Sequence, residues 1–471
     1  MRLGRAWPLL LLALLAGVAA RRRPRRDLAV AGAPELREQA RTDPEPLPAL
    51  VHPDVSPLPE AGRAPARRPA PGQLALLALL ALCSGVWAVV AWRLWDSTLP
   101  GDLRPPDLDA ADYFSAGQLR ESARYERFLE LDFLLSQAVL IGVLAVYAVR
   151  GHRFMRESAA GRIGTGMMLG MVGLGLVWLV QLPFSLAAFW WQRRNDIVDD
   201  GYGVWLAGSL GGLAGTFLFV SFALLIVMAL AGPLKQRWWI VGGPAFVALA
   251  LLFTFVDPYL RGDLRSLENP ALAAEARELA RAQGVDEIPV EVEPVQEFTS
   301  APNAEATGLG PSRRVILWDT LLDGRFSDDE VEVVLAHEFG HHAHGHIPES
   351  IAWYALFAIP GAFLLAFATA RVGGMRDPRA VPLSLLVLTV LQLAALPAQN
   401  VVSRRLESEA DWAALRATRD PSAAKGLFRG FTRETLQQPD PPTWSYVLLG
   451  SHPSVIQRIA MAEEWERRRG R

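Results

Sequence analysis

The chain predicts a mainly α, multi-pass membrane protein that carries a small α+β domain, on three observations. Seven uncharged stretches are long enough, or nearly so, to span ~30 Å of hydrocarbon at ~1.5 Å per residue. A soluble stretch, 257–350, follows the fifth and holds both strand-like and helical patterns. Near its end, His337-Glu338-Phe339-Gly340-His341 sets two histidines four residues apart, on one face of a helix.

The spans cover 73–92, 133–149, 163–192, 201–234, 238–256, 351–370 and 380–403. One such run alone would read as a buried core helix; seven define a membrane protein. Ahead of them, 7–20 is a shorter apolar run behind Arg2 and Arg5, like the core of a signal peptide. The arginines from Arg21 onward are unusual after a cleavage site, so 1–20 is read as a signal-like or anchor segment. Residues 21–72 hold eleven prolines and ten arginines with little apolar content and are expected to be disordered. Residues 73–256 then form an N-terminal membrane domain of five spans, and 257–471 the domain around the HEFGH helix, including spans 351–370 and 380–403. In the latter, Asn269-Pro270 opens a helix that Gly284 closes, and 288–292 and 314–318 read as short strands. Ser327 and Glu330 form a capping box, and further helices start at Asp420-Pro421 and His452-Pro453.

A net charge of −2 over 471 residues leaves no basic excess to attract nucleic acid. Cys83 is the only cysteine, which excludes an internal disulfide and a cysteine metal site.

HEFGH matches the HExxH arrangement of zinc hydrolases. His337 and His341 can give one imidazole nitrogen each to a metal ion, and Glu338, one step round the helix, can reach a water at that metal without binding it. The bland alternative is a histidine-rich surface helix, since five of the eight histidines fall within 335–347. A third ligand decides between the two. If the seventh span continues as a helix, Ser403, Glu407 and Asp411 share one face at i, i+4 and i+8. Glu407 is then the candidate third ligand, and Asp411 a carboxylate that accepts the free N–H of a ligand histidine. Glu409 lies off that face. His342, His344 and His346 read as groups at the helix end or behind the ligands, because three ligands and a water already complete a catalytic zinc.

With these residues in place, the chain resembles the integral-membrane zinc metallopeptidases of the CAAX prenyl protease 1 family, in a bacterial-type form. Leu335-Ala336-His337-Glu338-Phe339-Gly340-His341, with His344 and His346 following, is similar to that family's LAHELGH helix. Ser403-Arg404-x-x-Glu407-x-x-Ala410-Asp411 is similar to its SRxxExxAD segment, Pro302-Asn303-Ala304 to its Asn-Ala strand, and Ser451-His452-Pro453 with Arg458-Ile459 to its C-terminal element. Glu305 departs from the pattern, where an aromatic residue is frequent. The resemblance implies seven helices around a chamber and a zincin-like domain, with one Zn2+ per chain held by His337, His341 and Glu407. It further implies Glu338 as general base, His452 as oxyanion donor, and Asn303 and Ala304 as contacts to the substrate backbone. The expected partners are a peptide or protein substrate and the lipid bilayer, with no nucleic acid.

The resemblance places the catalytic side in the cytoplasm of a bacterial plasma membrane. The arginine distribution argues for the opposite side: Arg150, Arg153, Arg156, Arg162, Arg371, Arg376 and Arg379 lie across the membrane from the HEFGH segment. The function expected is peptide hydrolysis, in membrane-protein quality control or, alternatively, in CAAX-type processing of lipidated peptides. Two readings of other classes are a transporter with a regulatory metal site and a silent scaffold. The first expects ionisable groups in the spans, the second a missing Glu338 or ligand; neither expectation is met by the sequence.

Overall fold

The computed structural model describes residues 71–154, 161–285 and 287–470. The signal-like segment 1–20 and nearly all of the Pro/Arg-rich segment 21–72 lie outside the described residues. Five long helices come first: α1 (Pro71–Leu94), α2 (Ala116–Arg150), α3 (Gly161–Arg194), α4 (Tyr202–Leu234) and α5 (Trp239–Leu260). Strand β1 (Arg265–Ser266), helix α6 (Pro270–Ala282) and strands β2 (Val290–Glu293), β3 (Ala304–Thr307) and β4 (Arg314–Trp318) follow. The chain closes with α7 (Asp328–Ala343), α8 (His346–Thr369), α9 (Val381–Thr418), α10 (Pro421–Thr435), α11 (Thr443–Leu449) and α12 (Val455–Arg469).

All seven expected spans fall in helices. Six of them, α2–α5, α8 and α9, are long and apolar enough to cross a membrane among the described residues. The first span, 73–92, lies within the 24-residue helix α1. The protein is an integral membrane protein. Without hydrophobic contrast between helix and lipid, such helices associate through close packing and small residues. On α3, a Cβ at Gly166 would come within 2.2 Å of Met228 Sδ, and one at Gly170 within 2.5 Å of Leu224 Cδ1, so these glycines let α4 approach.

The four strands form one sheet in the order β1-β2-β4-β3. β2 and β4 run parallel, with Val290 opposite Val315; β3 runs antiparallel to β4, with Ala304 opposite Leu317. That order leaves β3 at an edge. Behind the sheet, Val315, Leu317, Leu335, Phe339, Leu427 and Ile459 are buried in one core shared by α6, α7, α9, α10 and α12. Asn269 caps α6 as expected, accepting from the Ala271 and Leu272 amides. β4 matches its expected range, while β2 begins two residues late: Pro289 cannot donate, and its carbonyl instead accepts from the Val315 amide. The two-residue β1 and the helix α11 have no counterpart in the sequence reading. Helix α12 starts at Val455 on a Ser454 cap, not at His452-Pro453.

Two features of the fold present the site. Gly345, at φ +69, turns the chain from α7 directly into α8, which suits a residue without a Cβ. α9 has 38 residues, about 57 Å at the helical rise, so it continues from the apolar span 380–403 through Thr418 without interruption.

Candidate active site

The capping box forms as expected: Ser327 Oγ accepts from the Glu330 amide at 3.3 Å, and Glu330 Oε2 from the Ser327 amide at 2.9 Å. α7 is then buried over most of its circumference, which fixes the rotation of its histidines. His337 and His341 face each other, Nε2 to Nε2, at 3.1 Å. Because α9 is unbroken through residue 411, Glu407 reaches the same point: its Oε2 is 3.3 Å from His337 Nε2 and its Oε1 3.7 Å from His341 Nε2. His337, His341 and Glu407 each offer an atom within 4.8 Å of the others, a group able to hold a metal ion.

The donor set fits a zinc ion. Ligands at about 2.0–2.1 Å in a tetrahedron lie about 3.3 Å from one another, close to the three separations found here. Among the described residues Glu407 Oε2 is buried with no well-formed hydrogen bond, an expensive arrangement unless a cation is its partner. Burial opposes protonation of His337, yet the hydrogen bond to Asp411 and the proximity of Glu407 outweigh it and raise its pKa to about 10. Burial, then the adjacent His337, push His341 down to about 3. A dication between the two rings would offset the charge of the Glu407 and Asp411 carboxylates in place of a proton.

Asp411 stands behind His337, with Oδ1 at 2.9 Å from Nδ1. A carboxylate there keeps the proton on Nδ1 and leaves Nε2 free to bind a metal. Asp411 is held in turn by Arg458, whose Nε donates to Oδ2 at 2.9 Å and whose guanidinium lies over the Phe428 ring at 4.2 Å. No spacing in the sequence marks this role for Arg458. Glu338 is buried beside this group, and burial pushes its carboxyl up to about 7 against the lowering pull of His337. The Ala306 backbone also hydrogen-bonds to it.

His452 arrives from the loop before α12, its Nε2 3.2 Å from Glu407 Oε2 and its Nδ1 3.0 Å from Ser451 Oγ. Glu338, His337, His341, Glu407 and His452 line one cavity of about 520 Å³, together with Ala304, Glu305 and Ala306 of the edge strand. Asn303 sits one residue before that strand, exposed and outside the lining, with its carbonyl accepting from the Trp318 amide at 2.9 Å. The carboxylate of Glu305 is engaged by Arg261.

Of the remaining histidines, His342 contacts the Arg314 carbonyl at 3.1 Å and His344 stacks on His346. His346 Nδ1 lies 2.9 Å from His341 Nδ1, on the side of that ring away from His337 Nε2. Glu409, set apart in the sequence because it points off the ligand face, is 3% exposed and lies 3.5 Å from His346 Nε2. No periodicity signal marks that link, because it joins residues on different helices.

Fold and site together define a membrane-embedded metallopeptidase. The chain belongs to peptidase family M48, whose model matches residues 266–466. It is 26% identical over 399 residues to the uncharacterized metalloprotease YhfN of Bacillus subtilis, covering 79% of this chain and 91% of that one. With a protease HtpX homolog of Kineococcus radiotolerans it shares 30% identity over 280 residues, 53% of this chain and 90% of the relative. The crystal structure of Ste24p from S. mikatae superposes with a TM-score of 0.59 at 19% identity, over 84% of this chain and 100% of that chain, which establishes a common fold.

Proposed function

We propose that this protein is a zinc endopeptidase that cleaves extended segments of membrane proteins in quality control, holding one Zn2+ between His337, His341 and Glu407. The observation that carries this reading is the convergence of three ligand atoms, a buried carboxyl and a sheet edge on one cavity. When bound, zinc lowers the pKa of a water to about 7 and polarises the scissile carbonyl. Glu338 accepts the proton of the attacking water and returns one to the leaving amine. Its high proton affinity when no cation is near is brought down by a neighbouring dication, which suits a group that must both take and give a proton.

Ser451 can donate its hydroxyl hydrogen to His452 Nδ1, which leaves the proton of a neutral ring on Nε2, facing the cavity. In that tautomer His452 donates to the oxyanion of the tetrahedral intermediate. β3, with one side unpaired in the sheet order, receives the substrate backbone as an added strand, with Ala304 along it and Asn303 at its start.

The catalytic face is assigned to the cytoplasm of a bacterial plasma membrane on the family resemblance, against the arginine distribution. On the opposite face Arg379 is tied to Asp377, which weakens the charge count there. In a Cys83→Ser background, a cysteine at the exposed Glu297 is then shielded from an impermeant maleimide in intact cells. Labelling there reverses the assignment. For the substrate class, membrane proteins that accumulate in cells carrying Glu338→Gln are identified by quantitative proteomics. An unchanged membrane proteome removes the quality-control reading.

A further inference from the structure

We infer that Ser97 and Thr98, just past the end of α1, are positioning residues of the metal centre, acting through Glu409 and His346 on His341. The inference rests on the reading of His341 as a ligand and extends the centre to a part of the chain over two hundred residues away. Glu409 is buried, and both its oxygens are taken: Ser97 Oγ donates to Oε1 at 2.9 Å and Thr98 Oγ1 to Oε2 at 2.8 Å. His346 is 2% exposed, and among the described residues its Nε2 has no hydrogen-bond partner, with Glu409 Oε2 at 3.5 Å as its charged neighbour. Its other nitrogen faces His341 Nδ1 at 2.9 Å.

Proton placement makes this chain directional. A carboxylate near His346 Nε2 favours the proton on that nitrogen, so His346 Nδ1 is an acceptor. It then takes the N–H of His341 Nδ1, and His341 Nε2 keeps its lone pair for the metal. The opposite order would put a proton on His341 Nε2 and block coordination. Asp411 does the same for His337 in one step; Glu409 does it for His341 in two.

The loop that carries the two hydroxyls is itself docked. Arg405 donates from Nη1 to the Leu94 and Asp96 carbonyls at 2.7 and 2.8 Å and lies 5.4 Å from the Trp95 ring. It also pairs with Glu349 of α8, and Trp95 meets Trp353 edge-on at 6.3 Å. The end of α1 is thus joined to the ligand through fixed contacts, and its displacement would release Glu409.

Ser97 and Thr98 are exposed, so Ser97→Ala with Thr98→Val removes two hydroxyls without opening the core. The full-length protein in detergent is titrated with zinc in a chelator buffer, beside Glu409→Gln and the conservative Thr98→Ser. Removing a partner behind a ligand typically costs 10–100-fold in metal affinity, and that loss is expected for Glu409→Gln and for the double variant. Thr98→Ser should retain wild-type affinity. The visible spectrum of the cobalt-substituted double variant should also change, since the geometry at His341 shifts. Wild-type zinc affinity and an unchanged cobalt spectrum in the double variant, with only a lower Tm, would make Ser97 and Thr98 plain loop anchors and overturn the inference. His341→Ala is measured alongside: retention of zinc there removes the ligand reading itself, a separate failure.

Discussion

Gly340 of α7 lies directly on Ala410 of α9: a Cβ on Gly340 would stand 3.3 Å from the Ala410 Cα and 3.1 Å from the Ala413 Cβ. Gly340 falls between the two histidines, and Ala410 between Glu407 and Asp411. The closeness of the helix backbones at this point sets the distance between the histidine pair and the carboxylates. Gly340→Ala should push α7 away by a few tenths of an ångström, and Gly340→Val by more. Overpacking of this kind typically costs about 1–3 kcal/mol. For Gly340→Val we expect a lower Tm and weaker zinc binding together, measured by thermal unfolding and by metal content after dialysis. A loss of stability with full zinc retention would show that helix contact does not set the ligand distances.

Asp411 and Arg458 form a buried pair that also orients His337. Asp411→Asn leaves the guanidinium of Arg458, 12% exposed, without its carboxylate. Leaving one buried partner uncompensated costs roughly 3–5 kcal/mol. Glu407→Gln leaves no such group behind. Both variants should lose zinc affinity, but only Asp411→Asn should unfold at markedly lower denaturant concentration. Equal denaturation midpoints would remove the structural role assigned to the pair.

The parts of the site legible from the sequence are those with a local repeat. His337 and His341 are four apart on a helix announced by Ser327 and Glu330, and Glu407 and Asp411 are four apart on a span that continues past the membrane. A helix converts such spacings into shared faces whatever packs around it. What stands behind these residues was not legible, because packing between helices leaves no period in the chain. Glu409 read as off the ligand face, and it is off that face, yet the opposite side of α9 meets His346 and the end of α1. α12 starts two residues beyond Pro453, which resembles a first helical residue, because Ser454 and Gln457 supply the capping box. β1, with two residues, is too short to carry alternation at all.

Glu338 touches the cavity but is not among the metal-holding group. Its replacement by Gln keeps the volume and removes the proton acceptor. Zinc content and Tm should stay near wild type while hydrolysis of an unstructured protein substrate falls below detection. Turnover at the wild-type rate would reassign the general base.

A capping role and a catalytic role for His452 differ in what its removal would change. A histidine just before a helix could serve only as its cap, worth about 1 kcal/mol of stability. That place is filled: Ser454 Oγ accepts from the Gln457 amide at 3.4 Å, and Gln457 Oε1 accepts from the Ser454 amide at 3.1 Å. The His452 side chain is instead 52% exposed, with Nε2 facing Glu407 across the cavity mouth. His452→Ala should therefore leave Tm and zinc content almost unchanged. Loss of one oxyanion donor typically lowers kcat by about 10²–10³, and KM should change little. Ser451→Ala, which removes only the partner of Nδ1, should give a smaller fall in kcat of the same kind. Steady-state kinetics on the folded, zinc-loaded variants measures both. An unchanged kcat in His452→Ala would exclude the oxyanion role, and with the cap already supplied by Ser454 it would leave this histidine without a function at the site.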